Sequence, residues 1–124
     1  MTIGESYSTR KGNIMATLGS ISFKGKSGKG YTFEIYPLSS SWNSVSAVYI
    51  VTRRIKNQSD GYTHSAIYIG ETGNLKERFS NHHKYNCFIE NSANCLCILI
   101  ESNEQNRLTI ESDLLGNYNP PCNG

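Results

Sequence analysis

The sequence predicts a small α/β domain, strand-rich at first, led by a β-hairpin and finished by helices. Three observations carry that expectation. Two short apolar runs each hold a tyrosine, Ala47-Val48-Tyr49-Ile50-Val51 and Ala66-Ile67-Tyr68-Ile69-Gly70. Leu18 to Phe23 and Tyr31 to Tyr36 alternate apolar and polar side chains around a glycine-lysine turn, the period of a hairpin. Ser102 followed three residues later by Gln105 is a capping-box signature for a last helix reaching to about Asn117.

A chain of 124 residues makes one domain and can bury a modest core without metal or disulfide staples. Residues 1–15 lack periodicity and are expected to form a flexible leader, with a single domain over 16–124. No long apolar run exists, which excludes a membrane-spanning helix. The polar N-terminus lacks the apolar stretch of a secretory signal, so the cytoplasm is the expected compartment. Reduced thiols are the default there, and Cys87, Cys95, Cys97 and Cys122 are expected to be buried and free. Cys95 and Cys97, two apart on a strand, share a face, and the absence of a C-x-x-C knuckle argues against zinc. The net charge of +2 says little about partners. Its distribution says more, because Lys24, Lys26, Lys29, Arg53, Arg54, Lys56, Lys76, Arg78 and Lys84 precede residue 85.

The hairpin occupies about 16–37. Its turn, Gly25-Lys26-Ser27-Gly28-Lys29-Gly30, has a phosphate-loop look, but Gly19 to Gly25 encloses five residues where a Walker A motif has four. No helical pattern follows it, and a solvated turn is the preferred reading. Val48 to Thr52 and Ala66 to Ile69 are the next strands, joined by residues 53–65, a polar segment of loop composition. A helix is expected over about Leu75 to His83, with Leu75 and Phe79 as its apolar stripe. Arg78 and His82 flank that stripe, where an arginine serves equally as a core-rim residue or as a fixed cation at a cleft. Cys95 to Ile100 is apolar throughout and reads as a buried central strand.

The last helix carries an anomaly. Leu108 and Leu115 mark one edge of its apolar arc, Ile110 and Leu114 the other, and Glu111 projects between them. A carboxylate so placed must be paired, protonated or bound to a cation. An i,i+4 ion pair with Arg107 is the structural explanation, and a functional role is the favoured one.

These residues resemble the GIY-YIG nuclease superfamily over about 45–123. Ala47-Val48-Tyr49 stands where the first signature triplet lies, and Tyr68-Ile69-Gly70 matches the second. Asn74-Leu75-Lys76-Glu77-Arg78 is similar to the helix carrying the family's arginine, and His82 matches a histidine of some members. Glu111 matches the metal-binding glutamate, and Tyr118-Asn119-Pro120-Pro121-Cys122-Asn123 resembles the closing motif. The chain departs from the pattern in its first triplet, in a longer linker between the tyrosines, and in Glu71, where several relatives carry a basic residue.

The resemblance implies a central antiparallel sheet with flanking helices, to which the N-terminal hairpin is an addition. It implies a metal-dependent endonuclease acting on DNA, with RNA as a second substrate class. The alternative is a non-cleaving nucleic-acid-binding or protein-interaction module on the same scaffold. Glu111 would hold Mg²⁺ or Mn²⁺, typically bound through one or two carboxylates plus water. Arg78 would offer a planar fork to phosphate oxygens. Tyr49 would activate the nucleophile, given a nearby cation to lower its phenol pKa. Tyr68 would orient water or phosphate, His82 would assist, and Asn123 would position Glu111 or a backbone strand. Lys76, Arg53 and Arg54 are expected to contact nucleic acid. Trp42, Tyr62 and Tyr85 could stack bases, although packing is the preferred reading of each. With no separate recognition domain, strong sequence specificity would need a homodimer or a protein partner.

Overall fold

The apolar run Cys95–Ile100 forms β5, the middle strand of a five-stranded antiparallel sheet. In the computed structural model, which describes residues 17–124, the other strands are β1 (Gly19–Lys24), β2 (Gly30–Pro37), β3 (Ala47–Lys56) and β4 (Tyr62–Thr72). The leader expected over residues 1–15, and the first residue of the expected domain, lie outside the described residues. The strand order is β1-β2-β5-β3-β4, so the N-terminal hairpin joins the sheet through β2 and β5. The helices are α1 (Leu75–Ser80), α2 (Tyr85–Glu90) and α3 (Glu104–Leu115).

Both faces of the sheet are covered, which is why β3 and β5 are apolar at successive positions. Val48, Ile50, Cys95 and Cys97 point to one face with Phe23, Phe33 and Leu114 of α3. Tyr49, Val51, Leu96 and Ile98 point to the other, beneath Leu75 of α1 and Phe88 of α2. Cys95 and Cys97 do share a face and are free. Burial pushes the Cys97 thiol up to about 12 and raises that of Cys95, so both stay protonated.

Several sequence expectations are corrected. Residues 53–65 are not a plain loop, because β3 runs to Lys56 and β4 starts at Tyr62. The helix expected over Leu75 to His83 stops at Ser80, and a separate short helix, α2, follows. The N-cap of α3 is Asn103, whose side chain accepts from the Asn106 amide, instead of Ser102. Leu108 and Leu115 are substantially exposed, and Arg107 takes the buried place on that helix beside Leu114. Cys87 and Cys122 are bonded to each other, tying α2 to the C-terminal tail, where the sequence predicts free thiols.

The glycine-lysine turn is bolted to α3. The Asp113 carboxylate accepts from the Ser27 amide (2.9 Å), the Ser27 hydroxyl (2.6 Å) and the Tyr31 hydroxyl (2.7 Å). An internal carboxylate thus takes the amide that a phosphate-binding turn would offer to its ligand.

Candidate active site

The antiparallel register of β3 and β4 sets Tyr49 opposite Gly70, so the Tyr49 ring leans over a residue with no side chain. A Cβ on Gly70 would lie 2.7 Å from Cζ and Oη of Tyr49 and 2.9 Å from Cε2 of Tyr68. The glycine is therefore the space in which two phenols meet, with ring centroids 6.0 Å apart. Tyr49 is wholly buried and also packs against Phe79 of α1, so it has no room to retreat. Gly70→Ala is expected to cost about 1–3 kcal/mol of stability by overpacking. It should also displace the Tyr49 hydroxyl, and a urea melt beside an ultraviolet difference spectrum of the buried tyrosines checks both effects.

Two nitrogen donors aim at that hydroxyl. Arg78 Nη1 lies 3.4 Å from Tyr49 Oη and 3.3 Å from the Glu71 carbonyl oxygen. His82, beyond the end of α1 and only 4 % exposed, has its Nε2 2.8 Å from Tyr49 Oη. The Lys84 amide donates to His82 Nδ1 (3.0 Å), which makes Nδ1 an acceptor. In the neutral ring the proton then sits on Nε2 and is donated to Tyr49. Burial, with help from the charges of His83 and Arg78, lowers the His82 pKa to about 4, so the ring is neutral at physiological pH.

Burial raises the Tyr49 phenol far above its usual range, and the neighbouring Tyr68 raises it further. The hydrogen bond and charge of Arg78 pull it back, while Glu111 pushes it up. Tyr68 is raised by burial, lowered by Arg78 and raised by Glu111. The charge of Glu111 thus acts on both phenols.

Glu111 is half-buried, and among the described residues no hydrogen bond or ion pair reaches its carboxylate. Burial raises its pKa first, then the charge of Glu71, with Arg78 opposing. The ion pair anticipated between Arg107 and Glu111 does not form. Arg107 instead gives Nε to Glu71 Oε1 at 2.9 Å and Nη1 to the carbonyls of Glu101 (3.1 Å) and Ser102 (3.0 Å). That clamp fixes the start of α3 to the ends of β4 and β5. It also leaves Glu111, one turn further on, without a partner among the described residues.

Asn123 acts on a strand and not on Glu111. Its Oδ1 accepts from the Ile69 amide (2.8 Å) and its Nδ2 donates to the Ile69 carbonyl (2.9 Å). The carboxamide thus holds β4 between Tyr68 and Gly70. Lys76 is exposed at a groove lined by Trp42 and Phe79, and no hydrogen bond or ion pair among the described residues ties it to the cluster. Arg53 and Arg54 lie four and five residues along β3 from Tyr49, about 13–17 Å away at strand rise. Contacts therefore gather Tyr49, Tyr68, Arg78 and His82, with Asn123 supporting β4. Glu111, on a helix whose Leu114 packs against the other face of the sheet, acts on the two phenols through its charge. Sequence reasoning missed Gly70 as a spacer and the Glu71–Arg107 clamp.

Among the described residues no group of three or more histidine, cysteine, aspartate or glutamate side chains could hold a metal. A cation here would rest on Glu111 and water, which suits Mg²⁺ because it keeps several waters. The chemistry of a half-buried, unpaired carboxylate fits that role. No family model matches the chain, and neither does any characterised protein or solved structure.

Proposed function

We propose that this protein is a metal-dependent endonuclease that hydrolyses phosphodiester bonds in DNA. One observation carries the reading. Two nitrogen donors converge on the Tyr49 hydroxyl, while the charge of a half-buried Glu111, unpaired among the described residues, acts on both phenols. A buried structural tyrosine needs one partner for its hydroxyl, and Tyr49 has two.

Bound at Glu111, Mg²⁺ or Mn²⁺ supplies charge neutralisation at the phosphoryl oxygens and at the leaving alkoxide. Tyr49 Oη accepts from His82 Nε2 and Arg78 Nη1, so its own proton is the one it can release. That proton passes to solvent, against the opposition of burial, and those two donors stabilise the phenolate that results. The phenolate takes a proton from water, the hydroxide attacks phosphorus, and the bond from phosphorus to one ester oxygen breaks. The departing alkoxide is protonated by solvent. Arg78 turns its remaining N–H groups to the phosphate, and Tyr68 orients water or phosphate beside it.

Arg78→Ala separates cutting from binding. In single-turnover cleavage of linear and branched DNA, the variant should lose on the order of a hundredfold in rate. Its DNA affinity should change far less. Equal losses in rate and affinity would reduce Arg78 to a docking residue, and a wild type inert with both Mg²⁺ and Mn²⁺ would leave a binding module.

A further inference from the structure

The long segment between the two tyrosine strands has a form that suggests its use. β5 pairs with β3 only from Ala47 to Thr52. Beyond that point β3 and β4 pair with each other alone, Arg53 with Ser65, Arg54 with His64, Ile55 with Thr63 and Lys56 with Tyr62. The result is a two-stranded ribbon projecting past the end of the sheet. A register shift between Val51 and Thr52 marks its root, where extra twist turns a strand away from its sheet.

The ribbon is held rigid at both ends. At the root, Asn94 accepts from the Arg54 amide (2.7 Å) and donates to the Arg54 carbonyl (3.0 Å), replacing the missing strand. At the tip, Asn57 Oδ1 accepts from the amides of Ser59 (2.9 Å) and Gly61 (3.0 Å). Asp60 takes the left-handed conformation, φ 63°, that this tight turn needs.

Its surface is cationic. The ribbon, residues 53–65, carries Arg53, Arg54 and Lys56 against one carboxylate, Asp60, a surplus of two charges, as large as the formal net charge of the whole chain. Ile55 and Tyr62 are 45 % and 51 % exposed, an apolar content that a solvated turn does not call for. The Arg54 guanidinium stacks 3.5 Å above the Tyr62 ring, and its Nε is buried without a partner. The buried Nε faces inward with Tyr62 and His64 beside Leu18, Ser20 and Ile35, and the exposed Arg53 and Lys56 are the cations placed to meet an external acceptor.

We infer that this ribbon enters the major groove of duplex DNA and anchors the substrate of the proposed nuclease, on which reading the inference rests. The major groove is about 12 Å wide and 8.5 Å deep and admits a two-stranded β-ribbon. Four residue pairs project about 13 Å, and the tip at Lys56 lies about 23 Å along β3 from Tyr49. That span is roughly two thirds of a duplex turn, so one rigid strand links groove contact to the scissile phosphate. Recognition then resides within the domain itself, with no partner needed to supply it.

The test uses Arg53→Ala/Lys56→Ala, two exposed positions whose loss spares the fold, and Arg54→Gln as a second variant. Affinity for a duplex is titrated over a series of salt concentrations, beside a single strand of equal length. The double variant should bind the duplex at least tenfold more weakly at low salt. Its log K against log salt slope should fall by nearly two, one for each phosphate that is no longer neutralised. Bulky C5 substituents on the pyrimidines should weaken the wild type and not the double variant, because they fill the major groove. An unchanged slope, or an equal loss on single strands, overturns the ribbon. If the wild type still cleaves in that case, the nuclease reading stands without it. A wild type that neither binds nor cleaves takes both down.

Discussion

Glu111→Gln is expected to abolish Mg²⁺-dependent cleavage, a loss on the order of a hundredfold or more, in a protein that remains folded. The amide keeps the shape of the side chain and removes only the charge that would hold the cation. Folding should survive because no described residue bonds to that carboxylate. The sign of the stability change follows from its pKa. Burial raises Glu111 above its ordinary value of 4.5, so the folded state disfavours the ionised form, and the penalty is fully present well above the raised pKa. At neutral pH the variant should therefore melt no lower than the wild type. Thermal melts with and without Mn²⁺ give a readout independent of turnover. The metal should raise the wild-type midpoint and leave that of the variant unmoved. Cleavage that persists in the variant would place the cation on other residues.

Arg107→Met should be the most destabilising single change in the site region, at about 3–5 kcal/mol, because it strands a partner of a nearly buried ion pair. The two side chains are 6 % and 19 % exposed, so water cannot take over the role of the guanidinium at Glu71. The carbonyls of Glu101 and Ser102 lose a donor in the same step. Adding Glu71→Leu removes the orphaned charge and should recover part of the loss, leaving the cost of the two carbonyls. Urea unfolding of both single variants and the double variant measures each contribution. A single-variant loss below about 1 kcal/mol would mean that the clamp does not hold α3 in place.

Local signals make much of this molecule legible. Tyr49 and Tyr68 announce themselves through apolar flanks, and Cys95–Ile100 reads as a central strand because both of its faces are covered. Glu111 stands out by helix spacing, although Leu108 and Leu115, which mark one edge of its arc, are exposed. The ribbon is illegible for the opposite reason. Most of residues 53–56 and 62–65 are exposed, and the two that are partly covered, Arg54 and His64, are polar, so no apolar period marks them as strands. α2 spans six residues and buries only Phe88, too little for a helical stripe. Helix spacing assigns Arg107 to Glu111 because it reveals only neighbours one turn away. The true partner, Glu71, lies 36 residues back in the chain, and only the packing of α3 against β4 brings the two together. The bond between Cys87 and Cys122, 35 residues apart, is hidden in the same way.

The grip of the tail on β4 also limits how two copies can associate. Cys122 donates its amide to the Ile67 carbonyl, and Asn123 saturates both backbone groups of Ile69, so that stretch of β4 offers nothing to a neighbouring strand. Among the described residues β1 is the other outer strand, and edge-to-edge pairing of two copies through it avoids the capped stretch. Such a pair would form a continuous ten-stranded sheet with the two β4 strands at its far ends. Nine strand spacings would separate them, about 43 Å, which is farther than one turn of B-form duplex. Two molecules joined in this way would cut as independent units and could not make a paired break within a single turn.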